Sequence, residues 1–188
     1  PALRLGAKVA RLESSGHHTW AVTAQTSAGA LRAEHEDVLL AAPAHSPADI
    51  QLAGAPSQAL ATLAQIHYPP VASIVLGFRR RDVSHALDGF GMLIPKVEGF
   101  HILGTLFSSS IFPHRAPADH VTLTSYIGGM RAPELALRPA DELVELAMQD
   151  LRAILGVQGQ STFRHCHLFR RAIPQYDVGH GRFLDLMN

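Results

Sequence analysis

The chain has 188 residues, with 16 Lys and Arg against 16 Asp and Glu, and this zero formal charge argues against a general nucleic-acid binder. Hydrophobic residues make up 47% of it, enough for the core of one large domain or two small ones. The single cysteine, Cys166, excludes an internal disulfide and suits a reducing compartment, and no apolar run is long enough to span a bilayer.

Residues 3–13 and 18–26 read as two strands around the turn Ser14-Ser15-Gly16. Ser27-Ala28-Gly29 makes a second turn, after which residues 30–33 pair back. The run Asp37-Val38-Leu39-Leu40-Ala41-Ala42, ended by Pro43, predicts a strand buried on both faces. Residues 1–43 are therefore expected to form a small sheet unit closing onto a larger parallel sheet. Pro47, Gly54 and Pro56 break residues 44–66 into an interrupted helical connection. Its last piece is a short helix from an N-cap at Ser57 to about Ile66, and Pro69-Pro70 stop it.

Four strands follow, at about 71–80, 90–95, 101–107 and 120–128. Ala72, Ile74, Leu76 and Phe78 make one apolar face of the first. On the last, Val121, Leu123, Ser125 and Ile127 share one side, and Thr122, Thr124 and Tyr126 the other. Pro139 opens the clearest helix, Asp141 and Glu142 favour its positive end, and Gly156 stops it. Leu143, Leu146, Ala147, Leu151, Ile154 and Leu155 are its expected buried stripe. A strand at 161–169 precedes Ala172-Ile173-Pro174-Gln175-Tyr176, and residues 179–188 read as a helix cut off in its middle. Pro1 in place of methionine, with both ends inside unfinished elements, suggests a middle portion of a longer chain.

Chemistry is sparsely announced. His165-Cys166-His167 resembles a metal motif, but in a strand the two histidines point to one face and the cysteine to the other. The two histidines are therefore read as an ordinary exposed histidine pair, and no metal site is assigned. Cys166 carries no signature of an activated nucleophile. The triplet Arg79-Arg80-Arg81 reads as a solvated strand end rather than a phosphate clamp. Gly104 lies inside a strand, Gly91 opens another, and Gly128-Gly129 follow Tyr126. Glycines in neighbouring strands either line a cavity for a flat molecule or mark bulges and tight packing; both readings stand.

Five ordered blocks carry a resemblance. They are Tyr68-Pro69-Pro70-Val71-Ala72-Ser73-Ile74-Val75-Leu76-Gly77-Phe78, Gly89-Phe90-Gly91-Met92-Leu93-Ile94-Pro95, Leu103-Gly104-Thr105-Leu106-Phe107-Ser108-Ser109, Tyr126-Ile127-Gly128-Gly129 and Arg171-Ala172-Ile173-Pro174-Gln175-Tyr176. In order and spacing, residues 67–182 resemble the protoporphyrinogen oxidase family of the flavin amine oxidase superfamily, and its plant and bacterial branch more than the animal one.

The resemblance implies an α+β fold: a mixed β-sheet substrate domain flanked by helices, plus a few strands of an FAD-binding domain. Residues 1–43 would be partial FAD-domain strands, 44–175 the substrate domain, and 176–188 a truncated helix returning to the FAD domain. It implies FAD-dependent conversion of protoporphyrinogen IX to protoporphyrin IX by oxygen in haem and chlorophyll biosynthesis. Phe90, Gly91, Leu93 and Leu106 match positions in the wall of the macrocycle cavity, and Tyr126 an aromatic stacking position often filled by Phe. Val9 matches the position whose backbone meets the adenine of FAD. The cofactor carries the chemistry, so no side chain is named as catalytic.

The family's G-x-G-x-x-G loop, its arginine for a substrate propionate, its C-terminal flavin segment and its membrane-facing helices lack counterparts in these residues. Gly89-Phe90-Gly91 is no substitute for the loop, because it leads into a strand. The expectation is a segment that forms the substrate cavity but is inactive alone, its partner being a homodimer mate or the remainder of the same chain. Family members are soluble or peripheral at a membrane, and the resemblance implies a cytoplasmic or membrane-peripheral location here. The competing function is a non-catalytic domain that holds a tetrapyrrole or a partner chain without flavin. A related polyene desaturase is disfavoured by the blocks around Leu93 and Leu106.

Overall fold

A computed structural model describes residues 3–16, 18–54 and 60–186. The chain divides into two compact units, residues 1–67 with 174–188, and residues 68–173. Segment 44–67, expected within the substrate domain, thus packs with the first unit.

The first unit holds a four-stranded sheet in the order β3-β2-β1-β4. β1 (Lys8–Gly16), β2 (Thr19–Thr26) and β3 (Gly29–His35) are antiparallel neighbours, and β4 (Gln51–Leu52) lies parallel to β1. The β2–β3 turn is closed by Thr26, whose hydroxyl donates to the Gly29 carbonyl at 2.8 Å and accepts from the Ala28 N–H at 3.2 Å. β1 begins five residues later than expected and runs through Ser14-Ser15-Gly16 instead of turning there.

The run at 37–42 is not a strand. It pairs with no other strand among the described residues, and Leu39 is 89% exposed. An apolar run becomes a buried strand only beside neighbours that satisfy its backbone. The larger parallel sheet expected to supply them is likewise absent from the described residues. The 44–66 connection is 3₁₀ rather than α: Pro47–Asp49 and Ala61–Gln65 each make a single short piece. Ser57, the expected N-cap, lies outside the described residues. Leu60, Leu63 and Phe183 form a small core with Ile50 and Ile66, Phe183 coming from the short helix Gly181–Asp185.

The second unit is a five-stranded sheet in the order β6-β7-β8-β5-β9, antiparallel throughout. Its strands are β5 (Val71–Arg79), β6 (Gly91–Leu93), β7 (Ile102–Leu106), β8 (His120–Gly128) and β9 (Phe163–Phe169). α1 (Ser108–Ile111) is a single turn after β7, and α2 (Ala140–Leu155) covers one face of the sheet. The predicted apolar faces hold, for Ala72, Ile74, Leu76 and Phe78, and Leu123, Ser125 and Ile127, have no solvent exposure. Against them α2 buries Leu143, Val144, Ala147, Met148, Leu151 and Leu155, each large side chain gaining about 1.5–3 kcal/mol from burial. Leu146 and Ile154 are only half-buried, and Val144 and Met148 take their expected place in the stripe. Gly156 ends α2 in the left-handed conformation, with φ of 61°.

The stripe also buries a charge. Asp150 of α2 is 2% exposed and accepts from the backbone N–H of His101 at 2.7 Å and of Ile102 at 2.8 Å. His101 Nδ1 lies 3.0 Å from its other carboxylate oxygen. The carboxylate therefore fixes the start of β7 to α2. The unit's two ends are joined as well, Ala172 N–H donating to the Pro69 carbonyl at 3.1 Å. One step outward, Gln175 N–H donates to the His67 carbonyl at 2.9 Å within the first unit.

Candidate functional site

α2 covers one face of the five-stranded sheet, and the other, the open face, is covered only locally, by α1, whose Ser108 hydroxyl meets that of Thr124. Paired residues across antiparallel strands present their side chains on one face. The register therefore writes out the open face in rungs. One rung is Leu93, Gly104, Tyr126, Ser73 and His167, taken from β6 to β9. The next is Gly91, Leu106, Thr124, Val75 and His165. Cys166 pairs with Ile74 and packs toward the core, opposite the two histidines. Burial pushes its thiol pKa above the ordinary value. Its alkylation by iodoacetamide at pH 8 is expected to run slower than that of free cysteine, and an equal or faster rate would contradict the assigned burial.

A concavity of about 200 Å³ opens on the first rung. Leu93, Leu106 and Tyr126 line it with Val71, Leu103 and Ile173, and Gly104 is part of its lining. Leu93, 91% exposed, is the most solvent-facing side chain of this apolar lining. Leu103 reaches the concavity through a bulge: pairing slips between Ile102 and Gly104, so an extra residue is inserted in β7. On the core side of the same strands, Ser125 donates to Thr105 at 3.1 Å, satisfying two buried hydroxyls.

Three of the five expected wall residues, Leu93, Leu106 and Tyr126, meet here. Gly91 sits one rung away, opposite Leu106, and Phe90 is 75% exposed outside the concavity, its carbonyl accepting from the Phe107 N–H at 3.0 Å. Val9 is in the other unit, on β1 opposite Ala24. Sequence reading passed over Leu103, Val71 and Ile173 as lining. Each stands in a quoted block; alternation with Ser73 and Val75 puts Val71 on this face, whereas Leu103 is turned to it by the bulge and Ile173 lies beyond the end of β9.

The glycines are explained by backbone approach. A Cβ on Gly91 would lie 2.2 Å from the Thr105 carbonyl oxygen, and one on Gly104 2.5 Å from the Met92 carbonyl oxygen. Both measures favour tight strand packing over contact with a ligand. Gly104 contributes to the site secondarily, since lacking a side chain it leaves the rung between Leu93 and Tyr126 open.

What the concavity presents is a surface for binding. It offers aliphatic side chains, one aromatic ring and a floor without charge, which suits a flat apolar molecule. No group of three or more potential metal ligands occurs among the described residues.

Comparison with known proteins identifies the family. The family model described as flavin containing amine oxidoreductase matches residues 2–188. Protoporphyrinogen oxidase 2, chloroplastic/mitochondrial, of Arabidopsis thaliana is 36% identical over 159 residues, covering 82% of this chain and 31% of that protein. Protoporphyrinogen oxidase 1, chloroplastic, of the same plant is 32% identical over 200 residues, covering 97% of this chain and 36% of that protein. A provisionally assigned protoporphyrinogen oxidase from Exiguobacterium sp. 255-15 superposes with a TM-score of 0.67 at 21% identity, over 97% of this chain and 38% of its own. The chain thus spans about a third of the length of the curated relatives it matches.

Proposed function

The chain belongs to the flavin containing amine oxidoreductase family, and from that premise we propose that it is part of an FAD-dependent oxidase converting protoporphyrinogen IX to protoporphyrin IX. Oxygen is the electron acceptor, and this segment forms the wall of the substrate cavity. The observation that carries the reading is the meeting of Leu93, Leu106 and Tyr126 at one apolar concavity on the sheet face opposite α2.

The roles follow from side-chain chemistry. Tyr126 stacks on a pyrrole ring, a contact worth about 0.5–1.5 kcal/mol beyond simple burial. Leu93 and Leu106 cover the macrocycle edge and exclude water from it. Phe90 and Gly91 extend the same wall beyond the concavity. In the other unit, β4 pairs with β1 at Arg11 and Leu12, so the β1 edge at Val9 has no strand partner among the described residues. A bare strand edge offers the backbone donor and acceptor that an adenine ring needs, so Val9 fits FAD. When bound, FAD supplies hydride acceptance and reoxidation by oxygen with release of hydrogen peroxide. The chain's own residues orient the macrocycle and keep water out, and none is assigned as acid or base.

Among the described residues no helix is long and apolar enough to cross a membrane. The reading puts the protein in the cytoplasm or peripheral to a membrane, where an apolar substrate is at hand. The domain roles follow the same lines, with FAD-domain strands in the first unit and the substrate wall in the second.

Titration with protoporphyrin IX, followed by its absorbance and fluorescence, tests the wall. The intact chain is expected to shift the porphyrin bands. Tyr126→Ala is expected to weaken binding about tenfold, from lost stacking and lost ring burial. Undisturbed bands with the unmodified chain, or equal affinity after Tyr126→Ala, would refute the assignment.

A further inference from the structure

Beside the apolar concavity, on the same open face, lies a second depression of about 490 Å³ with a different lining. Val75 and Gly77 of β5 form part of its floor, and Ser108, Thr122, Thr124 and Arg115 bring hydroxyls and a cation to it. The two depressions share a rung, because Thr124 pairs with Leu106 on one side and Val75 on the other. Thr122 and Tyr126 stand four residues apart along β8, about 13 Å at strand spacing.

Arg115 is held there by its backbone. The Thr122 hydroxyl donates to the Arg115 carbonyl at 2.9 Å, tying the 112–117 loop to β8. The Thr122 N–H in turn donates to the Ser109 hydroxyl at 3.0 Å. The guanidinium lies 5.5 Å from the Phe112 ring centroid and has neither a hydrogen bond nor an ion pair among the described residues. The contrast with Arg80 is informative: its guanidinium donates to the Val83, His85 and Ala86 carbonyls and is consumed by the fold. Arg115 has a positioned backbone, a charge without a counter-charge, and hydroxyls beside it. Ser108 and Thr124 pair with each other at 2.8 Å and keep further acceptor and donor capacity.

Resting on the macrocycle reading above, we propose that Arg115 is a specificity-determining residue that receives a carboxylate arm of the tetrapyrrole whose ring lies against Tyr126. A porphyrinogen of this class is an apolar disc carrying carboxylate arms. An apolar concavity adjoining a groove with a single guanidinium matches both halves. A guanidinium pairs with a carboxylate in a planar, two-pronged geometry, which distinguishes arms by position as well as by charge. The groove thus sets the orientation of the disc in its plane, which apolar contacts alone leave free.

The experiment compares protoporphyrin IX with its dimethyl ester, dispersed in the same neutral detergent, on the intact chain and on Arg115→Gln and Arg115→Lys. The unmodified chain is expected to bind the diacid about tenfold more tightly than the ester, with the preference shrinking as salt is added. Arg115→Gln is expected to abolish that preference while leaving ester affinity unchanged, and Arg115→Lys to keep part of it. If Arg115→Gln retains the full preference, or the unmodified chain has none, the groove does not hold the carboxylate. If neither compound binds, the macrocycle reading itself fails and the proposal falls with it. Binding that is lost with Tyr126→Ala but indifferent to Arg115 overturns this proposal alone.

Discussion

Replacing Asp150 with alanine is expected to destabilise the five-stranded unit by about 3 kcal/mol. The carboxylate accepts from two backbone N–H groups and faces a histidine nitrogen, at a position almost sealed from water. Alanine leaves the His101 and Ile102 donors without a partner, and each orphaned buried donor costs roughly 1–3 kcal/mol. Thermal unfolding followed by circular dichroism should move down by on the order of 10 °C. Asp150→Asn keeps one acceptor oxygen and should fall between the two. A melting point for Asp150→Ala within about 2 °C of the unmodified chain would mean that the junction of α2 and β7 does not depend on this acid.

The second large effect is at Gly91. Its φ of 146° and the 2.2 Å separation of a hypothetical Cβ from the Thr105 carbonyl oxygen leave no room for alanine. Backbone must move, and the expected result of Gly91→Ala is detachment of β6 from β7 at a cost of about 3 kcal/mol. Amide exchange is the direct readout. The Ile94 N–H, bonded to the Leu103 carbonyl, and the Phe107 N–H, bonded to the Phe90 carbonyl, should lose protection while α2 keeps its own. Porphyrin affinity should fall in parallel, since Leu93 leaves the concavity with β6. Gly89→Ala is the matched control, with nothing within 4 Å of its added Cβ. Unchanged protection at Ile94 and Phe107 in Gly91→Ala would dispose of the close-approach explanation.

These two residues also mark what the sequence conceals. Period-2 and period-3.6 patterns are local, and where one face is buried they are reliable. β5, β8 and α2 could be read to within about two residues for that reason. Asp150 occupies a stripe position of α2, seven residues after Leu143. An acid there announces a buried partner but not which one, because His101 and Ile102 are 49 and 48 residues away. Gly91 and Gly104 could be read as special backbone, yet a cavity floor and a close strand crossing leave the same glycine in the sequence. The run at 37–42 failed in the opposite way. Its composition promises burial, and burial is a property of neighbours. At the site, alternation put Tyr126 on the face opposite the core, but the bulge that swings Leu103 round to meet it is an interruption of pattern.

The doorway of the five-stranded unit has its own consequence. Chain enters at Tyr68 and departs at Ile173 through positions held by the Ala172–Pro69 hydrogen bond, with Gln175–His67 one step outside it. A segment whose two ends already lie a hydrogen bond apart behaves as a cassette. Cutting it out, or replacing it with a cousin of different binding preference, demands almost no new span from the flanking chain, and for the same reason its length can vary with little entropic penalty. Diversification of what such a protein recognises can therefore proceed inside the cassette while the host sequence on either side stays as it is.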